Sequence, residues 1–124
     1  MHILIVDDDE DIREVLEVVL QAEDHRVEVA ADGLEALDRL RQGGVPSLIL
    51  LDLMVPRLDG EGLLKAMSRD PRLAHIPVCI ITGHQEAREQ AARLGAIGCL
   101  VKPIELDQLS AVISGVAAET EART

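Results

Sequence analysis

Ser47-Leu48-Ile49-Leu50-Leu51-Asp52 carries an unbroken apolar run into a single carboxylate. A run with no polar residue before its end reads as a central strand of a parallel sheet, covered on both faces. Three other apolar runs end in the same manner. His2-Ile3-Leu4-Ile5-Val6 stops at Asp7-Asp8, Val78-Cys79-Ile80-Ile81 stops at Thr82, and Cys99-Leu100-Val101 stops at Lys102-Pro103. In an open parallel α/β sheet, ligands sit outside the carboxyl ends of the strands, so these endings converge on one spot. Carboxylates, a hydroxyl and an ammonium brought together there suggest metal-assisted phosphoryl chemistry.

Between the runs the apolar period changes from strand to helix. Ile12, Val15, Leu16, Val19 and Leu20 fall at spacings of three and four, the pattern of an amphipathic helix. Val27 and Val29 alternate with Glu28 as in an edge strand. Asp32 and Glu35 then read as a capping box for a helix through Leu34, Leu37 and Leu40, which Gly43-Gly44 and Pro46 end. Pro56 and Gly60 break the chain before a helix using Leu63, Leu64 and Met67. Asp70-Pro71 and Ile76-Pro77 bracket the loop into the next strand. The helix through Ala87, Ala91 and Leu94 has an apolar face made mostly of alanine and is expected to be loosely anchored. Gly95 and Gly98 flank the turn into the last strand, and Leu106, Leu109, Val112, Ile113 and Val116 stripe the last helix. Five strands and five helices, joined by right-handed crossovers, give a three-layer α/β sandwich.

At 124 residues the chain has the size of one domain, enough to bury roughly two thirds of its unfolded surface. Phe, Tyr and Trp are absent, so the core is built from Leu, Ile, Val, Ala and Met, and functions that need aromatic stacking are excluded. A net charge of -11 repels nucleic-acid phosphates and anionic lipid and favours cationic partners, metal ions above all. No signal peptide is visible, and no apolar run nears the roughly 20 residues a spanning helix needs. Cys79 and Cys99 lie in apolar runs without metal-site spacing. They read as buried free thiols of a reducing cytoplasm, with a disulfide left open.

The combination of Asp7-Asp8, Asp52, Thr82 and Lys102-Pro103, each after its own strand, with Pro56 and Gly60 beyond Asp52, resembles the receiver domain of two-component response regulators. The resemblance covers residues 1–117, leaving 118–124 as a polar tail or the start of a linker. It implies a flavodoxin-like (βα)5 sandwich with a five-stranded parallel sheet of order 2-1-3-4-5. It also implies a phosphorylation-dependent switch, not a conventional enzyme, that catalyses its own phosphorylation and dephosphorylation. A sensor histidine kinase or phosphotransfer protein would supply the phosphoryl group. The signal would pass through the fourth helix, fifth strand and fifth helix to an effector or output domain, or to a homodimer formed on phosphorylation.

Three carboxylates at one strand edge raise one another's pKa unless a cation balances them. Mg²⁺ answers that need, being hard, octahedral and usually held by one or two carboxylates with phosphate oxygens. Asp8 and Asp52 are then direct ligands and Asp7 holds a bound water or supports the site. The resemblance adds the backbone carbonyl of Met54. Asp52 is the expected phosphoacceptor, Lys102 faces the phosphoryl oxygens, and Thr82 hydrogen-bonds one of them as the signalling element. Pro103 follows a bond that is cis in the family; sequence alone says only that cis is accessible before proline. Met54 and His84 occupy positions that in similar domains flank the path of hydrolytic water, and His84 is expected to alter the phosphoryl lifetime. Many receivers carry Tyr or Phe three residues before the lysine, where this chain has Cys99. The response is therefore expected in backbone and loop motion from Gly83 to Gly95.

Each motif also has a plainer reading. Asp7-Asp8-Asp9-Glu10-Asp11 taken alone is an acidic entrance to a helix, where negative charge suits the dipole. Thr82-Gly83 is an ordinary turn signal, Lys102-Pro103 a loop, and Cys99 a filler of core. His2, His25 and His75 read as surface or strand-end residues. Three other functions compete. A pseudo-receiver, an interaction module without the chemistry, has Cys99 as its support. An aspartate-nucleophile phosphatase wants a second acid where Met54 stands. A dinucleotide-binding fold wants a glycine-rich loop where Asp7-Asp8-Asp9 stands.

Overall fold

Leu48–Asp52, the run read as a central strand, is buried at every residue and has a strand on each side. The computed structural model describes residues 1–84 and 87–122. Strands and helices alternate as β1 (His2–Val6), α1 (Glu10–Ala22), β2 (Arg26–Ala30), α2 (Gly33–Gln42), β3 (Leu48–Asp52), α3 (Gly60–Ser68), β4 (Val78–Thr82), α4 (Ala87–Arg93), β5 (Gly98–Val101) and α5 (Leu106–Ala122). The sheet is parallel throughout with order β2-β1-β3-β4-β5, the flavodoxin-like arrangement.

The pleat divides the apolar residues between two cores. Leu4, Val6, Ile49, Leu51, Val78 and Ile80 face Leu37, Leu40, Leu63 and Met67 of α2 and α3. Ile3, Ile5, Leu48, Leu50, Cys79 and Ile81 face Leu16 and Leu20 of α1 and Leu109, Ile113 and Val116 of α5. Each fully buried aliphatic side chain contributes about 1.5–3 kcal/mol, and no large ring is needed to fill either layer. α4 buries only Ala91 among its residues, so its hold on the sheet rests on little area.

Several local expectations change in three dimensions. Val15 is 59% exposed, because Ile12, Leu16 and Leu20, four residues apart, take the sheet-facing line and turn Val15 outward. Glu35 does complete a reciprocal cap, but its carboxylate accepts the N–H of Ala31 rather than that of Asp32. Cys99 is half-buried, packed against the α2/α3 side, while Cys79 is buried on the α1/α5 side. Register pairs Cys79 with Gly98 and Ile80 with Cys99, so the pleat points the two thiols to opposite faces and both are free. α5 continues to Ala122, through residues read as tail.

Register also levels the strand ends. Val6 lies opposite Leu51, Asp52 opposite Ile81, and Thr82 opposite Val101. Asp7 is therefore level with Asp52, Thr82 lies one residue further along and Lys102 two, so all four line one edge. The start of α2 packs against the loop after β3 so closely that a Cβ on Gly33 would lie 1.8 Å from the carbonyl oxygen of Leu58. Gly115, inside α5, has open space in that direction. Gly33→Ala is expected to destabilise the chain by about 1–3 kcal/mol, as overpacking does. Gly115→Ala should stabilise it by about 0.5–1 kcal/mol through helix propensity. Urea denaturation of both variants checks the pair.

Candidate functional site

Asp7 continues the β1–β2 ladder by donating its N–H to the carbonyl of Ala30, which draws it below the surface with no exposure at all. Its Oδ1 accepts the N–H of Asp9 at 2.9 Å, and its backbone carbonyl accepts Nη1 of Arg13 at 2.7 Å. Asp52 ends β3 with its side chain nearly buried, Oδ1 accepting the N–H of Met54 at 2.9 Å. Lys102 joins the two acids. Its Nζ donates to Oδ2 of Asp52 at 2.9 Å and stands 3.0 Å from Oδ2 of Asp7. That Asp7 oxygen is an ion-pair neighbour of Lys102 yet receives no well-angled hydrogen bond among the described residues.

Asp8 is exposed and completes the cluster: one carboxylate oxygen from each of Asp7, Asp8 and Asp52 lies within 4.8 Å of the others. Thr82 is buried at the end of β4, where its Oγ1 accepts the N–H of His84 at 3.1 Å and its carbonyl accepts the N–H of Lys102 at 2.7 Å. The Lys102–Pro103 bond is cis. Met54, 75% exposed, and His84, also exposed, line a shallow groove with Leu53, Asp59 and Ala87. Among the described residues the structure brings Asp7, Asp8, Asp52, Thr82 and Lys102, all named from the sequence, to this one edge. The Gly83 to Gly95 segment expected to carry the response includes Gln85 and Glu86, which lie outside the described residues.

Charge at the site is unbalanced, three carboxylates against one ammonium. Burial pushes the Asp7 carboxyl above its usual range, with the negative charge of Asp52 adding to it; the Asp9 amide and Lys102 pull it down without cancelling the rise. For Lys102 burial works against the charged form, but the hydrogen bonds and charges of Asp52 and Asp7 outweigh it and hold the ammonium above its ordinary value. A buried Asp7 oxygen that shares its one ammonium neighbour with Asp52, together with surplus negative charge, fits a hard divalent cation held by oxygen ligands. Away from the cluster, burial raises the Cys99 thiol and pushes Cys79 up to about 12, which keeps both protonated and unreactive.

Two arginines escaped the sequence reading. Arg13 reaches back six residues to the Asp7 carbonyl, and Arg57 reaches Asp32, 25 residues away in the chain. Neither belongs to a local pattern that would announce it.

The response regulator receiver domain family matches residues 3–114. The chain belongs to this family. The response regulator Rre1 of Synechocystis is 33% identical over 98% of the chain, and the CpxR-homologue transcriptional regulatory protein of Haemophilus influenzae is 37% identical over 92%. The alignments cover 54% and 49% of those relatives, so the chain spans about half the length of the curated relatives it matches. Among solved structures, a response regulator described as putative from Chloroflexus aurantiacus superposes with a TM-score of 0.87 at 32% identity, covering 94% of this receiver and 97% of that chain. The chemotaxis response regulator CheY4 of Vibrio cholerae gives 0.84 at 30% identity, covering 93% and 97%. Receiver domains are the phosphorylation-dependent switches of two-component response regulators, and this receiver carries the acidic pocket of its family in Asp7, Asp8 and Asp52. Among the described residues no helix is long and apolar enough to cross a membrane.

Asp7→Asn removes one surplus buried charge while Lys102 keeps Asp52 as its partner. In metal-free buffer at neutral pH the variant is expected to be more stable than the parent by about 1–3 kcal/mol, the scale of one unsatisfied buried polar group. Because the folded-state carboxyl of Asp7 is raised, the parent's penalty is full above that raised value. It fades as pH falls from that raised value toward the unfolded value of about 4, and is gone below it. The two denaturation curves should therefore converge in acid.

Proposed function

We propose that this receiver accepts a phosphoryl group on Asp52 from the phosphohistidine of a sensor kinase or phosphotransfer protein, in a cytoplasmic two-component system. The observation that carries the reading is the single ammonium of Lys102 within 3.0 Å of both Asp52 and Asp7, beside a third carboxylate. An Asp52 oxygen attacks phosphorus, the phosphorus–nitrogen bond to the donor imidazole breaks, and the imidazole leaves with the electron pair and takes a proton. Asp7, Asp8, Asp52 and the backbone carbonyl of Met54 would hold Mg²⁺, which when bound neutralises the phosphoryl oxygens. Lys102 stays at the same edge and offers its charge to those oxygens. A groove of about 510 Å³ lined by Ile12, Val15, Pro103, Ile104 and Leu106 opens beside Lys102 and gives a donor protein an apolar seat near the acceptor.

Thr82 supplies the readout. Its hydroxyl, now accepting from the His84 amide, is free to donate to a phosphoryl oxygen and draw the following loop inward. Such a bond to a charged group is worth about 1.5–3 kcal/mol, while a full two-state reversal takes about 5.5 kcal/mol. Thr82 therefore acts with Lys102 and with repacking after β4. With Cys99 at the aromatic position, the change travels through backbone and loop motion to the face of α4, β5 and α5, where an effector, an output domain or a second copy reads it. The switch is assigned to residues 1–117, with α5 running on to Ala122, and any DNA contact falls to an attached or separate partner because the receiver carries a charge of -11.

Incubation with Mg²⁺ and acetyl phosphate should give one phosphoryl adduct by intact mass, absent with chelator and in Asp52→Asn. Lack of an adduct from acetyl phosphate and from any histidine kinase would return the chain to a phosphorylation-independent interaction module. His84→Ala should change the decay rate of the adduct in a chase experiment, and an unaltered rate removes His84 from the water path.

A further inference from the structure

The loop that follows Asp52 is fastened from outside the acidic cluster. Nε and Nη2 of Arg57 stand 2.9 and 2.8 Å from Oδ2 of Asp32, whose other oxygen caps α2 through the N–H of Glu35 at 2.8 Å. Asp32 is buried, held by that amide and by the guanidinium, which together keep its carboxyl below its usual range. Arg57 has φ of 66°, a left-handed backbone that glycine adopts freely and a branched side chain resists. The side chain present in this turn is thus aimed at one specific partner across the loop. Around it the backbones also meet: the Gly33 N–H points to the carbonyl of Pro56 at 3.4 Å, and the Gly60 N–H donates to the carbonyl of Leu53 at 3.0 Å. Between these two points lies Met54, whose N–H holds Oδ1 of Asp52.

We infer that Arg57 is a positioning residue: its latch to Asp32 holds the loop 53–59 in the shape that presents the Met54 backbone to the cation and to Asp52. The inference rests on the metal and phosphoacceptor reading given above. Arg57 touches neither substrate nor reacting atoms and acts only through the loop. Backbone contacts at Gly33 and Gly60 bracket the segment, Leu53, Val55 and Leu58 pack it onto the core, and Arg57 adds the polar tie from its tip to the start of α2. The latch serves two ends at once, because the carboxylate that receives Arg57 also caps α2, which packs its first residue onto the carbonyl of Leu58.

Arg57→Gly tests the latch while relieving the left-handed backbone, so loss of folding is not its expected effect. Three readings of the full chain apply: Mg²⁺ affinity by calorimetry, amide exchange of Met54 and Gly60 by NMR without metal, and adduct formation from acetyl phosphate across Mg²⁺ concentrations. Arg57→Gly should weaken Mg²⁺ about tenfold, the lower end of what losing an outer partner does to a metal site. It should speed exchange at Met54 and Gly60, and its phosphorylation deficit should close as Mg²⁺ is raised. Arg57→Lys should recover part of the affinity, and adding Asp32→Asn to Arg57→Gly should cost nothing more. Unchanged Mg²⁺ affinity and unchanged Met54 exchange in Arg57→Gly would overturn the latch, whatever happened to unfolding stability. A parent chain that binds Mg²⁺ but takes no phosphoryl group would overturn the phosphoacceptor reading alone, and affinity and exchange would still decide the latch.

Discussion

Charge in this protein is confined to one place by the sheet itself. Both faces of β1, β3 and β4 are sealed by helices, so the first position where a strand can carry a carboxylate is its end, and there Lys102 joins Asp7 to Asp52. An ammonium between two acids offsets part of their repulsion, but a third acid leaves the edge short of positive charge. That shortage makes the edge a site. A fully compensated cluster would be inert structure, whereas one short of positive charge suits a cation.

Around that edge the fold supplies fixed anchors on one side and a lightly held element on the other. Asp7 and Asp52 sit at the ends of buried strands, their carboxylates oriented by the amides of Asp9 and Met54. Arg13 and Arg57 brace the loops from outside. On the readout side, α4 buries a single alanine against the sheet. Little buried area opposes its displacement. Rigid chemistry beside a soft reporter is the arrangement a switch needs, and it follows from which helices carry leucine and which carry alanine.

The sequence was most legible where one period dominated. Leu48 to Leu51 read as a buried central strand, and Val27 and Val29 flanking Glu28 as an edge strand, because burial on two faces or one leaves different patterns. It was less legible wherever a contact spans the chain. Val15 fits the helical period as well as Leu16 does, yet only Leu16 reaches the sheet, because the sheet-facing line runs through Ile12, Leu16 and Leu20. Cys79 and Cys99 are equivalent as letters, and the pleat sends them to opposite faces. Glu35 was recognised as a capping residue, though its carboxylate chose Ala31 over Asp32.

By itself the sequence determined the α/β alternation, the order of polar strand endings and the identity of the acids, hydroxyl and ammonium at the edge. Those properties are local: hydrophobic period sets element type, and residue type at a strand's end sets available chemistry. The tertiary structure decided the rest. Parallel register brought Asp7, Asp52, Thr82 and Lys102 to one edge and Lys102 between two carboxylates, and loop packing carried Arg57 across to Asp32. Each of those depends on distances between residues far apart in the chain, and such distances are set by packing of whole layers, which no local pattern encodes.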